Sequence, residues 1–422
     1  MIDRKKTLAY QEIHMPHFIE PQKHSLQNGL ELFLLEGGDQ ELCCVELVFE
    51  AGSKRQQKTL QAGLCHALLL EGTQNKKSAE IHEELDFYGA YTQLDINSDR
   101  ASVSLYTMNK YFAEVLPIFV DAIRGAIFPE DMFQIALQQK KQSYAINTEK
   151  VDFLARKDFF KSIFPKHPYG ASAELADYDN IDVSDLRAFS KDFFQTSKLK
   201  VYLAGQLPTD GLELLNEQLG DWTLSSKDFD PIELSASKAE KIYTERDGAL
   251  QSAIRIGRRT FNNHHEDYLQ LKFLSVILGG YFGSRLMTNL REDKGLTYGI
   301  GAMMMGQEES GYFAIATEVN ADSTKAALTE IYKELHRLRE DLIPEEELHL
   351  VKNYVMGQLL KMADGPFSQV SILKNMHILG FGFEFYDAYN EMLNNLDAEK
   401  LRAIAQKYLQ EKDLTEVVVG RI

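Results

Sequence analysis

The side chains able to do chemistry in this chain are few and scattered. His66 and Cys65 sit inside an apolar run, GLCHALLL at 63–70, where an imidazole could ligate a metal ion and a thiol could act as a nucleophile. A lone imidazole flanked by Leu64 and Leu68 reads instead as a packed side chain with its nitrogens satisfied locally, and a thiol in the same apolar helix is a poor nucleophile. His264 and His265 are adjacent in a loop, FNNHHED, from which two rings seldom converge on one ion. His82 with Glu83 and Glu84 reads as a solvated helix face. No Gly-x-Ser-x-Gly elbow is present. The glycine-rich GGYFGSRLMTNL at 279–290 lacks the Lys-Ser/Thr ending of a phosphate loop and the spacing of a dinucleotide site, so it reads as a tight turn between helices.

The elements that must position these residues occur twice. IFPED at 127–131 is echoed by LIPEE at 342–346, and IDVSDLRAF at 181–189 by LDAEKLRAI at 396–404. Both echoes are 215 positions apart (342 − 127 and 396 − 181), and the same offset carries LKVYLAGQL at 199–207 onto LTEVVVGRI at 414–422. A duplicated domain is the simplest explanation. Each copy begins with alternating β-type segments: GLELFLLEG at 29–37 and ELCCVELVFEAG at 41–52 read as a strand pair in the first, and SAIRIGRR at 252–259 as a strand in the second. A helix is expected from Leu60 to Glu71, another with Ser78 as N-cap, a hairpin over 90–108 turning at Asn97-Ser98-Asp99, and helices over 111–125, 129–147 and 184–195. The second copy repeats the order, with a helix over 267–278, a hairpin from Tyr298 to Glu318, and helices from Ala321 and Pro344. The expected fold is α+β: two homologous sandwich domains, residues 1–222 and 242–422, with helices on one face of a mostly antiparallel sheet. The polar, serine-rich stretch 223–241 is the expected linker.

Composition narrows the function classes. A net charge of −17 argues against general affinity for nucleic acid or anionic membrane, both of which reward clustered Lys and Arg. The N-terminal MIDRKKTLAYQEIHMPHF has no apolar run behind its basic residues, and no stretch reaches the length of a membrane span, so neither a secretory leader nor an anchor is expected. Cys43, Cys44 and Cys65 make neither a disulfide framework nor a zinc ribbon, which points to a reducing cytoplasm.

The repeat, the segment LLLEGT at 68–73, IFPKHPYG at 163–170, GGYFGSRL at 279–286 and above all REDKGLTYGIG at 291–301 together resemble the insulinase/pitrilysin zinc metallopeptidase family. The length matches its half-length branch, which includes the mitochondrial processing peptidase subunits. That resemblance implies a His-x-x-Glu-His helix shortly before Gly-Thr, in which two imidazoles one turn apart hold zinc and the glutamate activates its water. Counting back from Gly72-Thr73 places Gly63 and Ala67 at the histidine positions and His66 at the glutamate position. The third family ligand would fall in QQKKQSY at 138–144, which has no carboxylate. The expectation is therefore a chain with no metal of its own. The resemblance also implies that Arg291 and Tyr298, seven residues apart, donate hydrogen bonds to a substrate carbonyl and to the developing oxyanion. It implies a zinc-free subunit of a heterodimeric peptidase: a partner chain supplies zinc and base, this chain supplies Arg291 and Tyr298, and an unfolded peptide adds as a strand to a sheet edge. The alternative is a catalytically inactive homodimer that binds peptides or serves as a scaffold.

Overall fold

The computed structural model describes residues 14–195, 198–225 and 228–422. Residues 1–13, on which the targeting expectation rests, and residues 226–227 of the expected linker lie outside the described residues.

The first half contains strands β1 (Gln22–Ser25), β2 (Glu31–Glu36), β3 (Leu42–Phe49), β4 (Tyr91–Ile96), β5 (Ala101–Met108) and β6 (Leu199–Gly205). Its helices are α1 (Gln61–Ala67), α2 (Ser78–Phe87), α3 (Phe112–Arg124), α4 (Glu130–Asn147), α5 (Val151–Ile163), α6 (Val183–Ser190) and α7 (Gly211–Leu219). The second half contains β7 (Lys241–Glu245), β8 (Gln251–Thr260), β9 (Thr297–Gly306), β10 (Gly311–Asn320) and β11 (Thr415–Gly420). Its helices are α8 (Tyr268–Gly279), α9 (Thr324–Glu340), α10 (Glu345–Met362), α11 (Gly365–Ile378), α12 (Glu384–Asn395) and α13 (Ala398–Tyr408).

The two sheets share one topology. The first runs β1-β2-β6-β3-β5-β4 and the second β7-β11-β8-β10-β9, so the order β2-β6-β3-β5-β4 is repeated strand for strand. In both, only the pair containing the half's last strand and its first shared one is parallel. The α+β sandwich expected from sequence is what forms. One face of each sheet carries its own helices over a core that includes Phe49, Leu64, Phe112 and Phe119 in the first half and Leu274, Phe313, Ile331 and Leu401 in the second.

The opposite faces are not left to solvent, because the halves exchange a helix. Phe159 and Ile163 of α5 pack on Ala253, Ala314, Val417 and Val419 of the second sheet. Val370 and Leu373 of α11 pack on Leu35, Cys44, Val48 and Tyr202 of the first. The N-terminal segment joins the exchange: the Ile19 amide donates to Gln369 Oε1 at 2.7 Å and Phe18 stacks on Phe383 at 4.4 Å. Neither half is a separate body, since each sheet depends on the other half for one apolar face.

A polar clasp marks where the two hairpin tips meet. Lys54, with its side chain fully buried, ion-pairs with Asp99 at 2.9 Å, with Glu309 at 3.1 Å and with Glu308. Arg100 adds a second cation on Glu308 at 2.5 Å. His167 accepts from the Tyr169 amide at Nδ1, which leaves Nε2–H to donate to Glu309 at 3.0 Å, and Tyr169 donates its hydroxyl to Asp99 at 2.6 Å. Buried charges on this scale persist only when each finds a partner, and here every one does.

Several local expectations are corrected. Strands β2 and β3 do not pair with each other, because β6 enters between them. The helix expected over 60–71 is α1 alone, which starts after Leu60 at φ +75° and stops at Ala67. Lys77, not Ser78, is the N-cap of α2, and the Ser78 hydroxyl is drawn instead to Glu71. The sequence reading missed α5 and α11, whose apolar faces answer to the other half's sheet and so look unmatched within their own half. Lys241, the last residue of the expected linker, is already in β7.

Candidate functional site

The site begins with α1. Gly63 and Ala67, one turn apart, face outward: Ala67 is exposed, and a Cβ built at 63 would meet no atom within 4 Å. His66 points the other way. It is buried, and its Nε2 lies 2.9 Å from the carbonyl oxygen of Ser102 on β5, so the neutral ring donates there. Burial depresses the His66 pKa. The Ser102 bond and Asp95 oppose that shift, while Lys140 on α4 reinforces it. Lys140 belongs to the stretch QQKKQSY at 138–144, which has no carboxylate. Among the described residues, no group of three or more His, Cys, Asp or Glu is placed to hold a metal ion.

The other reactive types are also absorbed by packing. Burial pushes the Cys65 thiol well above its usual range, and its Sγ contacts the Leu186 carbonyl oxygen at 3.5 Å. His264 stacks on Phe381 and His265 on Phe261, at 4.4 and 3.8 Å between ring centres. His82 Nε2 is 3.4 Å from a Glu71 carboxylate oxygen.

Arg291 and Tyr298 do come together. A π-helical turn, Met287–Asp293, carries Arg291; Gly295 at φ +61° then reverses the chain into β9, whose second residue is Tyr298. The guanidinium lies 4.8 Å from the centre of the Tyr298 ring and 4.7 Å from that of Phe282. Each such contact at an exposed site is worth about 0.5–1 kcal/mol, enough to bias the orientation of a long side chain. Tyr298 is 88% exposed and Phe282 59%, so the assembly stands open to solvent. Among the described residues Arg291 makes no hydrogen bond or ion pair, and none links it or Tyr298 to α1. Phe282 was not singled out from sequence.

The sheet edges beside these groups differ. At β9 the outer edge is obstructed: Gly279 of α8 abuts it so closely that a Cβ there would fall 2.4 Å from the Ala302 nitrogen, and the Ile300 amide donates to Met287 Sδ at 3.4 Å. At β4, next to α1, Tyr91, Gln93 and Asp95 are exposed, and among the described residues the backbone pairs with β5 alone. The register that aligns Cys44 with Tyr106 and Tyr106 with Tyr91 puts Tyr91, Gln93 and Asp95 on the same sheet face as α11. No helix among the described residues is long and apolar enough to cross a membrane.

Comparison with known proteins places this geometry. Residues 180–355 match the family described as the peptidase M16 inactive domain. The chain is 21% identical over 399 residues to the uncharacterized zinc protease YmxG of Bacillus subtilis, covering 92% of this chain and 96% of that one. In sequence and in fold the chain resembles M16 peptidases. The non-peptidase homolog YmxG of Helicobacter pylori is 22% identical over 390 residues, covering 89% of this chain and 88% of the relative. The crystal structure of a peptidase M16 inactive domain from Pseudomonas fluorescens has the same fold, with a TM-score of 0.86 and 21% identity over 95% of this chain and 98% of that one. The chain thus shares its overall fold with that structure, and its α1 carries Gly63 and Ala67 one turn apart.

Proposed function

We propose that this M16 homologue is the zinc-free subunit of a two-chain peptidase, lending Arg291 and Tyr298 to a site whose metal and general base belong to a homologous partner chain. The observation that carries the reading is the asymmetry between the halves: α1 presents a bare, ligand-free face at Gly63 and Ala67, while half-buried Arg291 and exposed Tyr298 are held together, the guanidinium with no carboxylate of the chain on it. A guanidinium and a phenol in that state suit hydrogen bonding to a peptide carbonyl and to an oxyanion. Peptide would enter as an added strand on the open edge of β4, a mode that asks little of sequence. A cytoplasmic location belongs to the same proposal.

A second reading is a catalytically inactive homodimer that binds peptide or acts as a scaffold. The non-peptidase name of the Helicobacter pylori relative favours it, as does the contact of the Arg291 guanidinium with two rings of its own chain. Native mass measurement separates the two. A one-to-one complex with a co-expressed M16 chain that carries His-x-x-Glu-His supports the subunit reading; a self-dimer that excludes such a chain supports the scaffold.

A further inference from the structure

We infer that Phe282, Arg291 and Tyr298 form a receptor for a carboxylate, so that the peptide this protein binds is held by a free C-terminus or an acidic side chain and not by main-chain carbonyls alone. The inference rests on the proposed peptide-binding role and names the chemical class that role would select.

The geometry leads there in three steps. Rings lie at 4.7 and 4.8 Å from the Arg291 guanidinium, so two directions of approach are occupied by aromatic carbon. What a ligand can reach is the rim of N–H donors, a planar fork that matches the two oxygens of a carboxylate and exceeds what one carbonyl oxygen can accept. Arg100, Arg255 and Arg285 each reach a carboxylate of the chain itself. Arg291 reaches none, although Glu292 and Asp293 follow it directly in sequence. Its counter-charge is left to come from outside. Tyr298, 88% exposed beside it, offers a phenolic donor to the same ligand. Phe282 is then a positioning residue, holding the fork edge-on to solvent.

The test uses the full chain alone and N-acetylated, fluorescently labelled peptides of serine, leucine and tyrosine in three forms: free C-terminal acid, C-terminal amide, and amide with one internal glutamate. Affinity is read by anisotropy. The free acid or the glutamate amide is expected to bind at least about tenfold tighter than the plain amide, the scale of a charge-assisted bidentate contact; which of the two does so identifies the source of the carboxylate. Arg291→Lys keeps the charge but not the fork, and is expected to abolish most of that preference. Phe282→Leu, at a position 59% exposed where folding is not at stake, should reduce the preference. Equal binding of all three peptides, or a preference unchanged in Arg291→Lys, overturns the carboxylate receptor and leaves peptide binding standing. Binding of none overturns both.

Discussion

Lys54 in the first half and Glu309 in the second meet at 3.1 Å, with the lysine side chain wholly buried at the junction of the two hairpin tips. The contact ties sequence positions 255 residues apart. Removing the cation would strand Asp99, Glu308 and Glu309 together in a poorly solvated place. Lys54→Met is therefore expected to lower unfolding free energy by roughly 3–5 kcal/mol, the cost of breaking one side of a buried ion pair. Urea titration followed by circular dichroism measures it. A loss within about 0.5 kcal/mol, typical of an exposed pair, would contradict the clasp as described.

The exchanged helices make a prediction about coupling. Phe159 belongs to the first half but is 1% exposed against the second sheet. Phe159→Ala should cost about 3–5 kcal/mol, and the loss should appear as faster hydrogen exchange in β8 and β11. Faster exchange confined to the first half would show that α5 is not what covers the second sheet.

His66 supplies a pH dependence whose sign can be worked out. Its folded pKa is lowered, chiefly by burial, below the unfolded value of about 6.5. Above that pH the ring is neutral in both states and folding incurs no penalty. As pH falls through the unfolded value, the unfolded chain takes up a proton that the folded chain refuses, so stability declines. His377 has the same sign, its pKa lowered by burial and then by Lys200. Stability should therefore fall between about pH 7 and 5, and His66→Gln, which keeps a donor for Ser102, should flatten part of that slope. An unchanged slope in the variant would place the proton uptake elsewhere.

The bare face of α1 can be tested by building in the two imidazoles that the insulinase/pitrilysin resemblance implies there. Position 63 opens on empty space and Ala67 is exposed one turn on, so Gly63→His with Ala67→His should create a two-imidazole site that binds Co(II) with a visible d–d spectrum. The native chain should show none. Failure of the double variant to bind metal while remaining folded would mean that the two positions do not share a ligand-accessible face.

Much of the fold was legible because its signals are local. The 215-residue repeat announced two copies, and the alternation of residues 90–108 and the turn at Asn97 gave the β4–β5 hairpin. Other features depend on distant chain. Val370 and Leu373 on α11 look like ordinary apolar residues until Tyr202 and Cys44 are seen beneath them, and no period within either half reveals the exchange. Lys54 likewise reads as a surface charge, because its carboxylates lie on a hairpin in the other half. At the site, the emptiness of positions 63 and 67 was visible as residue type, and the inward turn of His66 was suggested by the leucines around it. Phe282 was not legible, since a stacking partner for Arg291 at a distance of nine residues follows no periodic rule.

The most direct measurement is peptidase activity on an internally quenched peptide for this chain alone, for a zinc-bearing M16 partner alone, and for their equimolar mixture, with native chain, Arg291→Ala and Tyr298→Phe compared. The split-site account predicts silence from this chain alone, activity on mixing that exceeds the partner's own, and a loss of at least about tenfold in kcat/KM with either variant, the lower end of what removing an oxyanion donor costs. A mixture no faster than the partner alone, or one indifferent to both substitutions, would contradict it.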